Sequence, residues 1–197
     1  MSGPPFIGLT GSTGAGKTSV LAALERLGAA TISSDAVVHE LLTSGELRDL
    51  ILERWGDRVA VDGELDRSRI AAIVFRDRDQ LSWLESQLHP RVAARVAEWR
   101  AALGPEVPLA VNEVPLLFET GMEDAFDAVL CIVAPLELRA ERAAGHGLEE
   151  LEGRDGRQIP EAEKAARSDF VVTNDGTLSE LEAKLAELLP ELKSARK

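Results

Sequence analysis

The sequence predicts an α/β fold in which flanking helices cover a parallel five-stranded sheet. Three observations support this. A glycine-rich stretch at residues 11–18 lies between an apolar strand candidate and a helical stretch, apolar runs alternate with helical patterns along the chain, and 45% of the 197 residues are hydrophobic. Strands that are separated by helices run parallel and are joined by right-handed crossovers.

The first strand and the loop after it carry a phosphate-binding pattern. Apolar residues 6–9 precede the sequence GSTGAGKT, and apolar residues at helical spacing follow it as far as Gly28. This setting predicts a P-loop NTPase-like core, whose loop amides and helix dipole hold the phosphates of ATP. Lys17 would reach the β- and γ-phosphates, and the Thr18 hydroxyl would ligate Mg²⁺. We assign ATP binding to Gly11, Ser12, Thr13, Gly14, Ala15, Gly16, Lys17 and Thr18.

Composition and charge exclude several classes of protein. The formal net charge of −12 lacks the basic field of a nucleic-acid-binding protein. The N-terminus lacks the basic cluster and long apolar stretch of a signal peptide or membrane span. The single cysteine, Cys131, excludes an intrachain disulfide, and its apolar neighbours predict a small buried residue. We expect a monomeric cytoplasmic protein that binds neither nucleic acid nor membranes.

Asp35 stands where the second predicted strand, residues 29–33, gives way to a helix. Ligands of open α/β sheets bind at the carboxyl ends of the strands, so Asp35 is a candidate general base. The position also suits a helix N-cap, for which Ser34 or Asp35 could serve. The spacing alone favours neither role.

Residues 36–103 are predicted to form a mostly helical, substrate-covering subdomain inserted into a core of residues 1–35 and 104–197. The segment carries apolar stripes at helical spacing and all three tryptophans, and it is longer than an ordinary βαβ crossover. Asp66 is expected to cap one of its helices. The pair His89-Pro90 is expected to interrupt another, because a residue before proline is pushed out of the α region.

The third predicted strand, residues 108–113, is nearly all apolar and ends in Glu113. In nucleotide-binding folds the acid that ends such a strand holds the water shell of Mg²⁺. A solvent-facing carboxylate at a strand end is the alternative, and the sequence alone does not separate the two.

A glycine- and arginine-rich segment follows the fourth strand, residues 128–133, and a helix that bears Arg139 and Arg142. Residues 145–158 contain four glycines, arginines and little apolar periodicity. A lid that closes over phosphates needs such a composition, so we interpret residues 145–160 as a lid rather than a solvated linker.

The last elements are a fifth strand at residues 170–173, a turn that starts at Asn174 and an amphipathic helix that starts at Leu178. The N-K-x-D and D-x-x-G patterns of a switch GTPase are missing from the sequence. Ring-forming ATPases are usually longer. These exclusions leave a small-molecule kinase with a lid and an acceptor domain.

Over residues 6–189 the motifs resemble those of the dephospho-coenzyme A kinase family. The matching stretches are the glycine loop, Ser33-Ser34-Asp35-Ala36, His39-Glu40-Leu41, Leu88-His89-Pro90, Val114-Pro115-Leu116-Leu117-Phe118-Glu119, Arg154 with Gln158, and Asn174-Asp175-Gly176. The loop is common to many NTPases, whereas the ordered set of the others is specific to this family.

The resemblance implies transfer of the ATP γ-phosphoryl group to the ribose 3′-hydroxyl of dephospho-coenzyme A, the last step of coenzyme A synthesis. Asp35 corresponds to the family's proposed base, and the other implied catalytic residues, which would neutralise the transferring group, are Lys17, Arg142 and Arg154. Thr18 and Glu113 would hold Mg²⁺, and Asn174 joins the ATP site. The acceptor is expected near Thr10, Asp35, His89, Pro115, Leu116, Leu117, Phe118 and Glu119.

Three positions depart from the family pattern. Ser33 replaces the first acid of Asp-x-Asp, Glu113 replaces an aspartate, and His146 stands where the lid carries an arginine. The last departure leaves open which arginine clamps the phosphates, with Arg154 preferred over Arg157 and Arg139. Two other functions remain open: a nucleotide-binding regulatory protein without phosphoryl transfer, and a nucleoside or nucleotide kinase.

Overall fold

The computed structural model describes residues 3–43, 45–61, 63–143 and 158–196. The chain divides into two compact units. One consists of Met1–Ser33 and Arg100–Lys197, and the other of Ser34–Trp99.

The first unit is built on a five-stranded sheet. Its strands are β1 (Phe6–Gly11), β2 (Ala30–Ser33), β5 (Ala110–Glu113), β6 (Ala128–Val133) and β7 (Phe170–Thr173). They lie in the order β2-β5-β1-β6-β7, and every pair is parallel. The central strands β1 and β5 are buried along their whole length, as their apolar sequences predict.

Among the described residues, four helices accompany this sheet: α1 (Lys17–Arg26), α6 (Leu136–Ala143), α7 (Glu161–Arg167) and α8 (Leu178–Ser194). Helix α1 packs against α8, and α7 packs against β1 and β6. The core between helices and sheet includes Ile7, Leu9, Leu24, Leu130 and Leu185, all fully buried. Cys131 is also fully buried, which confirms its interpretation as a small core residue.

The second unit contains the helices α2 (Ser34–Thr43), α3 (Gly45–Trp55) and α4 (Arg67–Val74), and most of α5 (Arg78–Ala101). A short 3-10 helix, Gly56–Val59, follows α3. The unit has an apolar core of its own, which includes Leu47, Ile51, Trp55, Val59 and Ile70. As predicted, Asp66 caps α4, because its carboxylate accepts hydrogen bonds from the amides of Ser68 and Arg69.

One prediction for this unit is corrected by the structure, and one small element was not predicted. Helix α5 continues through His89 and Pro90, so the expected interruption is wrong. Proline removes one helical hydrogen bond, but Leu84, Leu88 and Val96 bury one face on both sides of it, and this packing outweighs the local preference. The two-residue strands β3 (Ala60–Val61) and β4 (Glu64–Leu65) pair as an antiparallel hairpin that the helical reading missed.

The caps and ends of the first unit follow from local sequence. Helix α1 ends at Arg26 with Leu27 as its C-cap, and Gly28 has the positive φ of a helix-terminating glycine. Helix α8 begins with a capping box formed by Thr177 and Glu180. In the described part of the chain, no helix is both long and apolar enough to cross a membrane.

Candidate active site

The predicted site residues of the first unit collect at one edge of the sheet. The glycine loop follows β1, Ser33 ends β2, Glu113 ends β5, and Asn174 follows β7. Since all five strands are parallel, these positions share the carboxyl edge, where open α/β sheets bind ligands.

The glycine loop requires glycine at two positions for reasons visible in the structure. Gly14 and Gly16 both have positive φ angles, 77° and 96°. A Cβ atom at Gly14 would collide with the carbonyl oxygen of Arg139, and one at Gly16 with the amide nitrogen of Asn174. Gly16 is the N-cap of α1 and supplies no side-chain cap, so the first amides of the helix keep their capacity to bind an anion.

Lys17 and Thr18 begin helix α1 directly after the loop. The Lys17 ammonium donates to the carbonyl oxygens of Gly11 at 3.0 Å and Ser12 at 3.3 Å, so its side chain folds back along the loop. Thr18 is exposed in the first turn of the helix. Both residues therefore lie at the junction between the loop and helix α1.

Three residues outside the loop hold it in place through hydrogen bonds to backbone carbonyl oxygens. The buried side chain of Asn174 donates from Nδ2 to the carbonyl oxygen of Ala15 at 2.8 Å. Arg142 in turn donates from Nη1 to the carbonyl oxygen of Asn174 at 3.4 Å. Arg139 donates from Nε to the carbonyl oxygen of Thr13 at 3.1 Å. Two arginines of α6 therefore lie beside the loop.

Glu113 is paired with Ser33 at the ends of adjacent strands. Ser33 Oγ donates to Glu113 Oε2 at 2.7 Å, and the two residues are register partners in the β2–β5 pair. Glu113 is 8% exposed, which rejects the alternative of a solvent-facing carboxylate. A carboxylate and the Thr18 hydroxyl are the oxygen donors that Mg²⁺ prefers, and Mg²⁺ in such sites keeps several waters and binds phosphate oxygens besides. The donor set fits this ion.

The turn after β5 carries the V-P-L-L-F-E motif, residues 114–119. Leu117 and Phe118 are buried in the core, and Pro115 and Leu116 are partly exposed. The hydroxyl of Thr10 donates to the carbonyl oxygen of Pro115 at 3.4 Å, which links the turn to the end of β1.

The last residue of this motif, Glu119, turns inward and meets a lysine that the sequence interpretation missed. The Lys164 ammonium lies 2.8 Å from Glu119 Oε1 and is fully buried. A lysine in a short polar helix ordinarily predicts solvent exposure, and no local pattern distinguishes this one.

The second unit holds Asp35 and His89. Helix α2 starts at Ser34, so Asp35 lies in its first turn, two residues beyond the end of β2. His89 lies within α5 and is exposed. The predicted lid falls largely outside the described residues, and so do His146, Arg154 and Arg157.

Comparison with known proteins identifies the family. The family model for dephospho-CoA kinase matches residues 5–180. The chain belongs to the dephospho-CoA kinase family. Dephospho-CoA kinases are ATP-using kinases that catalyse the last step of coenzyme A synthesis.

Individual relatives support this assignment over nearly the whole chain. The dephospho-CoA kinase of Deinococcus radiodurans is 39% identical over 193 residues, which cover 96% of this chain and 93% of that protein. The dephospho-CoA kinase of Thermobifida fusca is 36% identical over 192 residues, with 94% and 95% covered. A crystal structure of a Thermus thermophilus protein superposes with a TM-score of 0.83 at 37% identity and covers 97% of this chain and 99% of that one. The predicted fold class, family and enzyme class are thereby confirmed.

Proposed function

We propose that this protein transfers the γ-phosphoryl group of MgATP to the ribose 3′-hydroxyl of dephospho-coenzyme A, giving coenzyme A and ADP. The observation that carries the proposal is the glycine loop, in a chain that belongs to the dephospho-CoA kinase family. The Lys17 ammonium contacts this loop, and the N-terminus of α1 has no side-chain cap. Both features suit the binding and neutralisation of phosphates.

ATP binds along residues 11–18, with its phosphates on the loop amides, and Asn174 holds the loop in shape. Lys17 exchanges its contacts with two carbonyl oxygens for the β- and γ-phosphate oxygens. This exchange places a cation beside the charge that develops during transfer. Arg142 adds a second cation from α6, and Arg154, outside the described residues, adds a third from the lid of residues 145–160.

Thr18 and Glu113 would hold Mg²⁺, through the threonine hydroxyl and the glutamate carboxylate. When bound, Mg²⁺ supplies charge neutralisation at the β- and γ-phosphates. Ser33 keeps the Glu113 carboxylate in place, because its hydroxyl donates a hydrogen bond to one carboxylate oxygen.

The acceptor contacts are assigned residue by residue, from the resemblance to the family. Asp35 orients the 3′-hydroxyl and accepts its proton as the O–P bond forms. His89, Thr10 and the turn of residues 114–119 contribute to the acceptor site. Transfer passes through a loose transition state, so positioning and charge neutralisation contribute more than covalent chemistry.

An ADP-release assay with MgATP tests the proposal. Dephospho-coenzyme A, adenosine, AMP and no acceptor are compared at matched concentrations, and mass spectrometry with ³¹P NMR locates the new phosphate. Lys17→Met serves as the inactive variant and Lys193→Met, on the exposed end of α8, as its control. We expect turnover with dephospho-coenzyme A alone. Turnover with another acceptor would overturn the substrate, and ATP binding without turnover would favour a regulatory protein.

A further inference from the structure

The feature that the proposed mechanism leaves unused is a buried cation. Lys164, in α7, has a side chain that is 0% exposed, and it is the only lysine or arginine among the buried residues that the structure describes. A lysine is almost never fully buried unless it is paired, because removal of the ammonium from water costs several kcal/mol. Its position therefore needs an explanation beyond apolar packing.

The partners of Lys164 both belong to the V-P-L-L-F-E turn. Its ammonium donates to the carbonyl oxygen of Pro115 at 2.7 Å and lies 2.8 Å from Glu119 Oε1. The same helix contacts this turn a second time, since the guanidinium of Arg167 lies 4.5 Å from the ring centre of Phe118. Helix α7 thus fixes both the first and the last part of the turn.

Each partner also serves a further segment of the chain. The carbonyl oxygen of Pro115 accepts from the hydroxyl of Thr10, the residue before the glycine loop. Glu119 Oε1 accepts from the amide of Ile159, where the described chain resumes after residue 157. The network of Lys164 therefore joins the end of β1, the turn after β5 and the segment that enters α7.

We propose that Lys164 is a positioning residue for the acceptor: its buried ammonium sets the backbone of the turn from Pro115 to Glu119. The acceptor part of this inference rests on the proposed function, which brings dephospho-coenzyme A to that turn. Lys164 touches no reacting atom. It acts through the Pro115 carbonyl and the Glu119 carboxylate. A turn that is already rigid loses less conformational entropy when the acceptor binds.

Two variants separate positioning from simple charge balance. Lys164→Met leaves the Glu119 carboxylate buried without its counter-ion and is expected to lower the thermal midpoint. The double variant Lys164→Met with Glu119→Gln removes both charges, so much of the stability should return. The Pro115 carbonyl still lacks its ammonium donor in the double variant, and the turn stays loose.

Lys184→Met is the matched control. Lys184 also donates to one carbonyl oxygen, that of Thr173 at 2.8 Å, and to one carboxylate, that of Asp175 at 2.7 Å. Its side chain is 42% exposed, however, so its loss leaves no buried charge.

Steady-state kinetics and hydrogen exchange give independent readings of the double variant. We expect the KM for dephospho-coenzyme A to rise about tenfold over that of Glu119→Gln alone, while the KM for ATP changes by less than about twofold. Amide exchange monitored by mass spectrometry should accelerate in the peptide that spans residues 114–122, and in Lys184→Met it should not.

Three results would decide against the inference. Recovery of both the thermal midpoint and the acceptor KM in the double variant would reduce Lys164 to a counter-ion for Glu119. Equal rises in both KM values would indicate a general structural defect. Unchanged exchange at residues 114–122 would show that Lys164 does not set the turn. If the wild-type protein shows no turnover with dephospho-coenzyme A, the proposed function is wrong. The exchange rates at residues 114–122 would then still test whether Lys164 sets the turn.

Discussion

Ser33 Oγ donates a hydrogen bond of 2.7 Å to Glu113 Oε2 at the carboxyl ends of two paired parallel strands. The resemblance to the family leads to the expectation of an aspartate at each of these two positions. Two carboxylates directly opposite each other on adjacent strands repel, whereas a hydroxyl and a carboxylate attract. In this pair the serine supplies the donor and the glutamate supplies the acceptor.

Loss of the Ser33 hydroxyl should weaken the response to Mg²⁺. In Ser33→Ala the Glu113 carboxylate loses the hydrogen bond that orients it, and we expect the Mg²⁺ concentration for half-maximal activity to rise about tenfold. Mg²⁺ titrations of the ADP-release rate measure this. Thr31→Val is the control. It removes a hydroxyl from the same strand, and that hydroxyl donates to the carboxylate of Glu25. Equal titration curves for wild type and Ser33→Ala would contradict a role for the Ser33–Glu113 pair in Mg²⁺ binding.

Replacement of Asp35 tests the proposed base. Asp35→Asn keeps the shape of the side chain and removes its capacity to accept the hydroxyl proton, so turnover should fall about 100-fold or more. ATP binding, followed by calorimetry, should stay within about twofold of wild type. Asp49→Asn on α3, whose side chain is 73% exposed, provides a carboxylate control in the same unit. Wild-type turnover in Asp35→Asn would remove Asp35 from the proton transfer.

Asn174 should matter for ATP and not for the acceptor. Its buried amide holds the Ala15 carbonyl at 2.8 Å, so Asn174→Ala leaves that carbonyl without its donor and relaxes the glycine loop. We expect the Kd for ATP to rise about tenfold, measured by calorimetry in the presence of Mg²⁺. Asp175→Asn changes the neighbouring residue, which is 50% exposed, and should leave the Kd unchanged. A larger effect on the acceptor KM than on ATP binding would contradict this role.

The capping box of α8 gives a pH-dependent contribution to stability. Hydrogen bonds from the Thr177 amide, and then from its hydroxyl, lower the pKa of Glu180 below its ordinary value of 4.5. A carboxyl whose pKa is lower when folded stabilises the fold above the unfolded pKa, and this stabilisation disappears as the pH falls through the folded pKa.

Urea unfolding of wild type and Glu180→Gln should therefore differ near neutral pH and converge below pH 4.5. Glu187→Gln is the control, because Glu187 is exposed on the same helix. The difference in stability between this variant and wild type should not shrink as the pH falls. A wild-type advantage that persists at low pH would assign the effect to helix propensity rather than to the ionised cap.

Burial also explains the inertness expected of the single cysteine. Desolvation, with the nearby Glu161 carboxylate as a smaller contribution, raises the pKa of the Cys131 thiol to about 11. A thiol that stays protonated inside β6 is a poor nucleophile, so alkylating reagents should leave Cys131 unmodified until the protein unfolds.

The sequence by itself determined the features that depend on near neighbours along the chain. The strand over residues 170–173, the cap at Asp66 and the stop at Gly28 each follow from a few adjacent residues, and the glycine loop is a continuous motif. The family resemblance likewise rests on short ordered stretches. These features survive folding because periodicity, turn chemistry and caps act locally.

Tertiary packing alone decided the remaining features. Pro90 stays inside α5 because buried residues on both sides hold the helix, against the preference of the local sequence. Lys164 is buried because Pro115 and Glu119, more than forty positions away, receive its ammonium. Ser33 meets Glu113 only because β2 pairs with β5. Such contacts depend on which surfaces meet when the chain folds, and the periodicity of the sequence does not predict them.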